Sequence, residues 1–209
     1  MEHLLVLPPS ARALLVLAHG AGAGMRHPFL EAMARGLAER GIASFRYEFA
    51  SMEERKRRPD PPAVAEERVR TAVLEAARAA PGLPLLAGGK SFGGRMTSGA
   101  QAREPLPGVR GIVFFGFPLH PPGRPGTGRA DHLDAVRIPL LFLQGTRDDF
   151  ADLALLEPVC RRLDQRATLH IVEGADHSFR VLKRAGRTDA DVLGELVQAV
   201  DDWTRMILA

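Results

Sequence analysis

Ser91 stands in Gly89-Lys90-Ser91-Phe92-Gly93, a Gly-x-Ser-x-Gly sequence between a short apolar run and a segment of helical spacing. A serine hydroxyl is a weak nucleophile at its free pKa, so acyl transfer through it needs a nearby base that is itself held in orientation. Two later segments supply those residue types. Asp148 follows the apolar run that leads into Gln144-Gly145, and His177 follows the next one in Gly174-Ala175-Asp176-His177. All three lie just past the ends of apolar runs, and in an open parallel sheet such positions converge on one rim. The chemistry they could perform together is attack of the Ser91 hydroxyl on a carbonyl carbon, with His177 as the base and Asp148 orienting the imidazole. The flanking glycines fit the same reading. At a sharp strand-to-helix bend, the positions two before and two after the nucleophile press against neighbouring backbone, where a Cβ would clash.

An attacked carbonyl also needs donors for its developing negative charge. His19-Gly20-Ala21-Gly22-Ala23-Gly24 is a flexible turn after an apolar run, and its backbone N–H groups can face an anion. The N–H groups of Ala21 and of Phe92, the residue after the nucleophile, are the expected pair. A phosphate-binding reading of this turn is weaker. It lacks the Gly-Lys-Ser/Thr ending of a P-loop, and Arg46 closes the following strand where a dinucleotide fold would carry an acid.

Other candidates have plainer explanations. Asp148 is preferred over Asp149 and Asp176 because it comes three residues after the glycine that ends its strand. His19 belongs to the Gly-rich turn, and His120 and His132 fall in a loop without fixed register. Cys160, the only cysteine, recurs with Leu153, Leu156, Val159 and Leu163 at helical spacing and reads as core. Arg55-Lys56-Arg57-Arg58 could contact nucleic acid, but Glu53, Glu54, Asp60 and Glu66 surround it, so a solvated loop is the better reading. Tyr47, Phe117, Leu119, Phe150 and Phe179 lie just past strand ends and are expected as walls of a substrate pocket.

These residues must be positioned by a scaffold, and the apolar pattern indicates its class. Short apolar runs at 13–18, 42–46, 84–88, 111–115, 139–144 and 168–172, with a weaker seventh at 4–7, alternate with helical periodicity at 28–40, 63–79, 92–103, 153–163 and 189–208. That alternation predicts an α/β fold with a mostly parallel sheet of six or seven strands flanked by helices. Pro, Gly and charge collect at 51–62 and 118–135, and the strand rhythm resumes after each, so residues 1–209 read as a single domain. Only about 23 residues connect the fourth and fifth secure strands, too few for a large cap.

Composition sets the outer bounds. The 209 residues are 45% apolar and 25% charged with a formal charge of +3, the balance of a globular domain that does not demand an acidic partner. Arginine far outnumbers the three lysines, Lys56, Lys90 and Lys183. No apolar run reaches the length of a membrane span. At the N-terminus Glu2, Pro8, Pro9 and Arg12 spoil a signal-peptide pattern, giving the expectation of a cytoplasmic protein.

The segments HGAGAG, FRYEFA with RRPD, GGKSFGGRM, QGTRDDF and GADHSF resemble a compact α/β-hydrolase of the dienelactone-hydrolase-related kind over residues 13 to 209. Within that superfamily they are similar to the α/β-hydrolase-like family that includes a testis-expressed protein and a subunit of a chromatin-associated histone-acetyltransferase assembly. The resemblance implies the chain order Ser, Asp, His, which this sequence keeps. It departs from dienelactone hydrolases proper in carrying Ser91 where they use cysteine. The expectation is a serine hydrolase for a small carboxylic ester or related acyl compound, needing no metal or organic cofactor, no nucleic acid and no membrane. A homo-oligomer is compatible with the sequence but not indicated by it. The alternative is an interaction module that keeps the fold without the catalysis.

Overall fold

The computed structural model describes residues 1–209. Seven strands form one sheet in the order β1-β3-β2-β4-β5-β6-β7. They are β1 (His3–Val6), β2 (Ala13–Ala18), β3 (Ile42–Tyr47), β4 (Leu85–Lys90), β5 (Val109–Phe115), β6 (Leu140–Arg147) and β7 (Ala167–Asp176). All neighbouring pairs are parallel except β1 with β3. The α/β architecture expected from the apolar rhythm is therefore present, with the weak seventh strand as an antiparallel edge.

Six α-helices cover the sheet: α1 (Pro28–Glu39), α2 (Ala50–Glu53), α3 (Pro62–Ala79), α4 (Phe92–Arg103), α5 (Leu153–Leu163) and α6 (Asp189–Leu208). The period of two along the strands divides the core between two faces. Leu15 and Leu17 of β2 and Val113 and Phe115 of β5 pack with Leu30, Met33 and Leu37 of α1 and Leu196, Val200 and Trp203 of α6. Their alternates face the other way: Leu14 and Val16 pack with Val69 and Val73 of α3 and Met96 of α4. Ile112 and Phe114 on that same face pack with Leu156, Val159 and Leu163 of α5. With both faces covered, β2 and β3 are buried along their whole length.

Two connections differ from the expected plain loops. The 51–62 stretch opens within α2, a single helical turn at Ala50–Glu53, and its end is fixed where buried Asp60 accepts a hydrogen bond from Ser51 N–H at 2.9 Å. The 118–135 stretch ends in a 3-10 segment, Gly128–Ala135, whose Ala130 and Leu133 insert into the core beside α5. This connection packs against the side of the sheet and forms no large cap. No helix is long and apolar enough to cross a membrane.

Candidate active site

Ser91 occupies the bend between β4 and α4 with φ 49° and ψ −113°, a conformation that costs a non-glycine residue about 1–3 kcal/mol. The surroundings impose that bend. A Cβ on Gly89 would stand 2.5 Å from the Ala18 carbonyl oxygen, and one on Gly93 would stand 2.5 Å from the His19 carbonyl oxygen. Strand and helix thus pass against the end of β2 closer than any side chain allows. The Ser91 N–H donates to the Phe115 carbonyl at 3.1 Å, tying the bend to β5.

The side chain of Asp148 is 1% exposed and every oxygen it has is used. Oδ1 accepts from the Phe150 N–H at 2.8 Å, while Oδ2 accepts from Gln144 Nε2 at 2.5 Å and lies 2.7 Å from His177 Nδ1. The opposite ring nitrogen, His177 Nε2, is 2.8 Å from Ser91 Oγ. A carboxylate can only accept, so the proton belongs on Nδ1 and leaves Nε2 free to take the serine proton. The Phe150 ring stacks on the imidazole with centroids 4.2 Å apart. A pairing irregularity between β6 and β7 at Gly145 lets the two chain ends approach, since a Cβ there would lie 2.2 Å from the Ala175 carbonyl oxygen.

The rejected acids have other placements. Asp149 is exposed. Asp176 closes the turn beneath His177, accepting from Ser178 and Arg180 N–H at 2.8 and 3.0 Å. Among the histidines, His19 holds the Gly-rich turn: Nδ1 donates to the Gly20 carbonyl at 2.8 Å and Nε2 accepts from Phe49 N–H at 3.1 Å. Burial lowers its pKa, with the Gly20 contact and the Glu48 charge opposing, consistent with a neutral ring. His120 Nε2 accepts from Asp152 N–H at 2.9 Å, and His132 lies 2.7 Å from Ser98 Oγ. Both are structural contacts away from Ser91.

The Ala21 and Phe92 N–H groups make no hydrogen bond within the protein. Phe92 opens α4, where the first N–H groups lack intrahelical partners and the helix dipole favours negative charge. Ala21 and Ser91 line one cleft of about 250 Å³ with Phe29, Leu30, Phe150 and His177. Apolar side chains thus share the cleft with the polar groups of Ser91 and His177.

Of the five expected pocket walls, only Phe150 lines this cleft. Phe179 is 3% exposed and stacks behind it on Phe29, with centroids 5.6 Å apart. Tyr47, Phe117 and Leu119 are corrections to the sequence reading, because all three are fully buried. Tyr47 packs edge-on against Phe49, and Phe117 packs against Phe114 and Phe142. Tyr47 is the last residue of β3 itself, and Phe117 and Leu119, just past β5, turn toward a face of the sheet rather than to the rim. Lys90, Gln144, Phe29 and Leu30 were missed. A polar Gln144 inside an otherwise apolar run was a readable signal; Lys90, at a variable position of the motif, offered none.

A family model described as an alpha/beta hydrolase domain matches residues 11–205. Solved structures resemble the chain over nearly its whole length. A dienelactone hydrolase from Anabaena variabilis superposes with a TM-score of 0.76 at 22% identity, covering 98% of this chain and 91% of its own. The protein TT1662 from Thermus thermophilus gives 0.71 at 25% identity, with 96% and 92% covered. The protein XC6422 from Xanthomonas campestris, described as a serine hydrolase without lid, gives 0.71 at 22% identity, with 96% and 88% covered.

Proposed function

The chain belongs to the alpha/beta hydrolase domain family, and from that premise we propose that it is a serine hydrolase of small carboxylic esters or related acyl compounds. One observation carries the reading. An unbroken line of hydrogen bonds runs from buried Asp148 through His177 to Ser91 Oγ, at 2.7 and 2.8 Å. In this reading Ser91 Oγ attacks the substrate carbonyl as its proton passes to His177 Nε2. The imidazolium so formed is stabilised by Asp148, whose charge is fixed by Gln144 and the Phe150 N–H. The tetrahedral oxygen takes hydrogen bonds from Ala21 and Phe92 N–H, and each such donor is worth about 3 kcal/mol in the transition state. Collapse expels the alcohol with the proton from Nε2, leaving Ser91 acylated. Water then attacks the acyl carbonyl as its proton passes to Nε2, and cleavage of the Oγ–acyl bond releases the carboxylic acid as that proton returns to Ser91 Oγ.

The cleft limits the acyl group. About 250 Å³ walled by Phe29, Leu30 and Phe150 suits a short or single-ring acyl chain. The link between β5 and β6 packs beside the sheet instead of extending a hydrophobic channel above the site, so long acyl chains would remain in water. The test is hydrolysis of p-nitrophenyl acetate, butyrate and octanoate by wild type and Ser91→Ala. The expected result is turnover that favours the short esters and falls at least about a thousandfold in the variant. Equal rates from both proteins would overturn the proposal.

A further inference from the structure

Lys90 immediately precedes Ser91 and is half-buried, lining the same cleft as Ser91 and His177. Nζ donates a hydrogen bond to the His177 main-chain carbonyl. It also lies 5.3 Å from the centroid of the Phe179 ring, a cation–π contact. A Cβ built on Gly116 would meet Lys90 Nζ at 3.1 Å, Asp148 Oδ2 at 3.4 Å and His177 Nδ1 at 3.4 Å. Cation, carboxylate and imidazole therefore crowd around one point. Gly116 leaves room for them, and its φ of 73° suits a residue without a side chain.

We propose that Lys90 is a positioning residue for His177: its ammonium ties the His177 main chain to the nucleophile strand and, by its charge, keeps the imidazole neutral and able to accept the serine proton. This rests on the serine-hydrolase reading. Asp148 alone would favour a protonated imidazole, because a carboxylate beside the ring stabilises the cation. A base that is protonated at working pH cannot accept the serine proton. A second cation in the same low-dielectric volume opposes that pull. The titratable groups near His177 are Asp148 at the end of β6, which touches the ring, Asp176 next to it in the chain at the end of β7, Lys90 at the end of β4, which holds the His177 carbonyl, and His27 ahead of α1, which lines the same cleft. Of these, only Lys90 brings an ammonium group close to the ring. Burial lowers its own pKa to about 8, with Asp148 and Asp176 pulling the other way, so it is mostly charged near neutral pH.

The test is an NMR titration of the His177 ring Cε1–H in wild type, Lys90→Met and Lys90→Gln, assigned with His177→Ala. The acid limb of kcat/KM on p-nitrophenyl acetate is recorded in parallel. Removing the charge is expected to raise the His177 midpoint in both variants and to move the acid limb in the same direction. A purely structural tether would lower kcat and leave both midpoints in place. Unmoved or lowered midpoints in the folded variants would overturn the proposal. The NMR arm reads the imidazole whether or not the protein turns over an ester. Variants whose midpoint rises beside a wild type that cleaves nothing would count against the hydrolase reading and not against this one.

Discussion

Replacing Asp148 by Asn tests the orientation of His177 with almost no change of volume. The two carboxylate oxygens are not equivalent. Oδ1 accepts from the Phe150 N–H at 2.8 Å, so an amide NH2 placed there would set donor against donor. Oδ2 accepts from Gln144 Nε2, and Gln144 cannot turn over to present its oxygen, because its Oε1 accepts from the Phe117 N–H at 3.0 Å. In either orientation the amide leaves at least one buried donor unpaired, at about 1–3 kcal/mol. With the NH2 at the Oδ2 position, His177 must turn its Nδ1 lone pair to the amide and move its proton to Nε2. That nitrogen then donates to Ser91 Oγ instead of accepting from it. A wrong tautomer of this kind costs about 10⁴ in kcat, or about 5.5 kcal/mol of transition-state stabilisation. The assay is kcat/KM on p-nitrophenyl acetate at pH 7.5, with Asp149→Asn as the exposed control. The expected result is a drop of about 10³–10⁴ for Asp148→Asn and less than about twofold for Asp149→Asn. A drop below tenfold at Asp148, with the fold intact, would refute the orienting role.

Other substitutions probe the scaffold. In Gly93→Ala the new Cβ would meet backbone atoms of Ala18 and His19 at 2.8 and 2.5 Å, so α4 must shift. Denaturant melts should show a loss of about 1–3 kcal/mol, with activity falling at least about a hundredfold. Lys90→Met is expected to raise Tm at pH 7 while it lowers activity. The ammonium's pKa is lowered to about 8 from 10.5, so between those values the unfolded chain binds the proton more strongly. Wild-type stability should therefore climb as pH rises from 8 to 10.5, and the variant should lack that climb, which thermal melts across the range will read. Buried Asp201 on α6 holds Arg12 and also faces Arg40 and Arg205. Asp201→Ala should cost about 2 kcal/mol in urea melts, less than for a fully buried pair because the arginines can turn toward water.

The glycines around Ser91 were legible because close backbone approach excludes every other residue, so their spacing records a three-dimensional constraint. The same holds for the strand rhythm. In a parallel sheet covered on both faces a strand is a short, nearly uninterrupted apolar run, and β2 and β6 stand out as such. Asp148 and His177 could be picked out because each follows such a run at an end where the sheet gathers its loops. Side-chain direction beyond the strand ends was not legible. Tyr47 and Phe117 look like rim residues by position, yet both turn into the core, since a one-residue difference in pleat decides the face. Phe29 and Leu30 reach the cleft from the first turn of α1, a helix face that sequence reads as core. Lys90 was hidden for a related reason. Its partner is the main-chain carbonyl of His177, and a contact to backbone leaves no residue type to recognise.

Activation of the Ser91 hydroxyl by His177 is read out by covalent capture with a fluorophosphonate. Intact mass and peptide mapping should find one phosphonyl group on Ser91 in wild type, none in Ser91→Ala, and strongly slowed capture in His177→Ala. A wild type that stays unmodified, or that carries its adduct on another residue, would show that Ser91 is not an activated nucleophile.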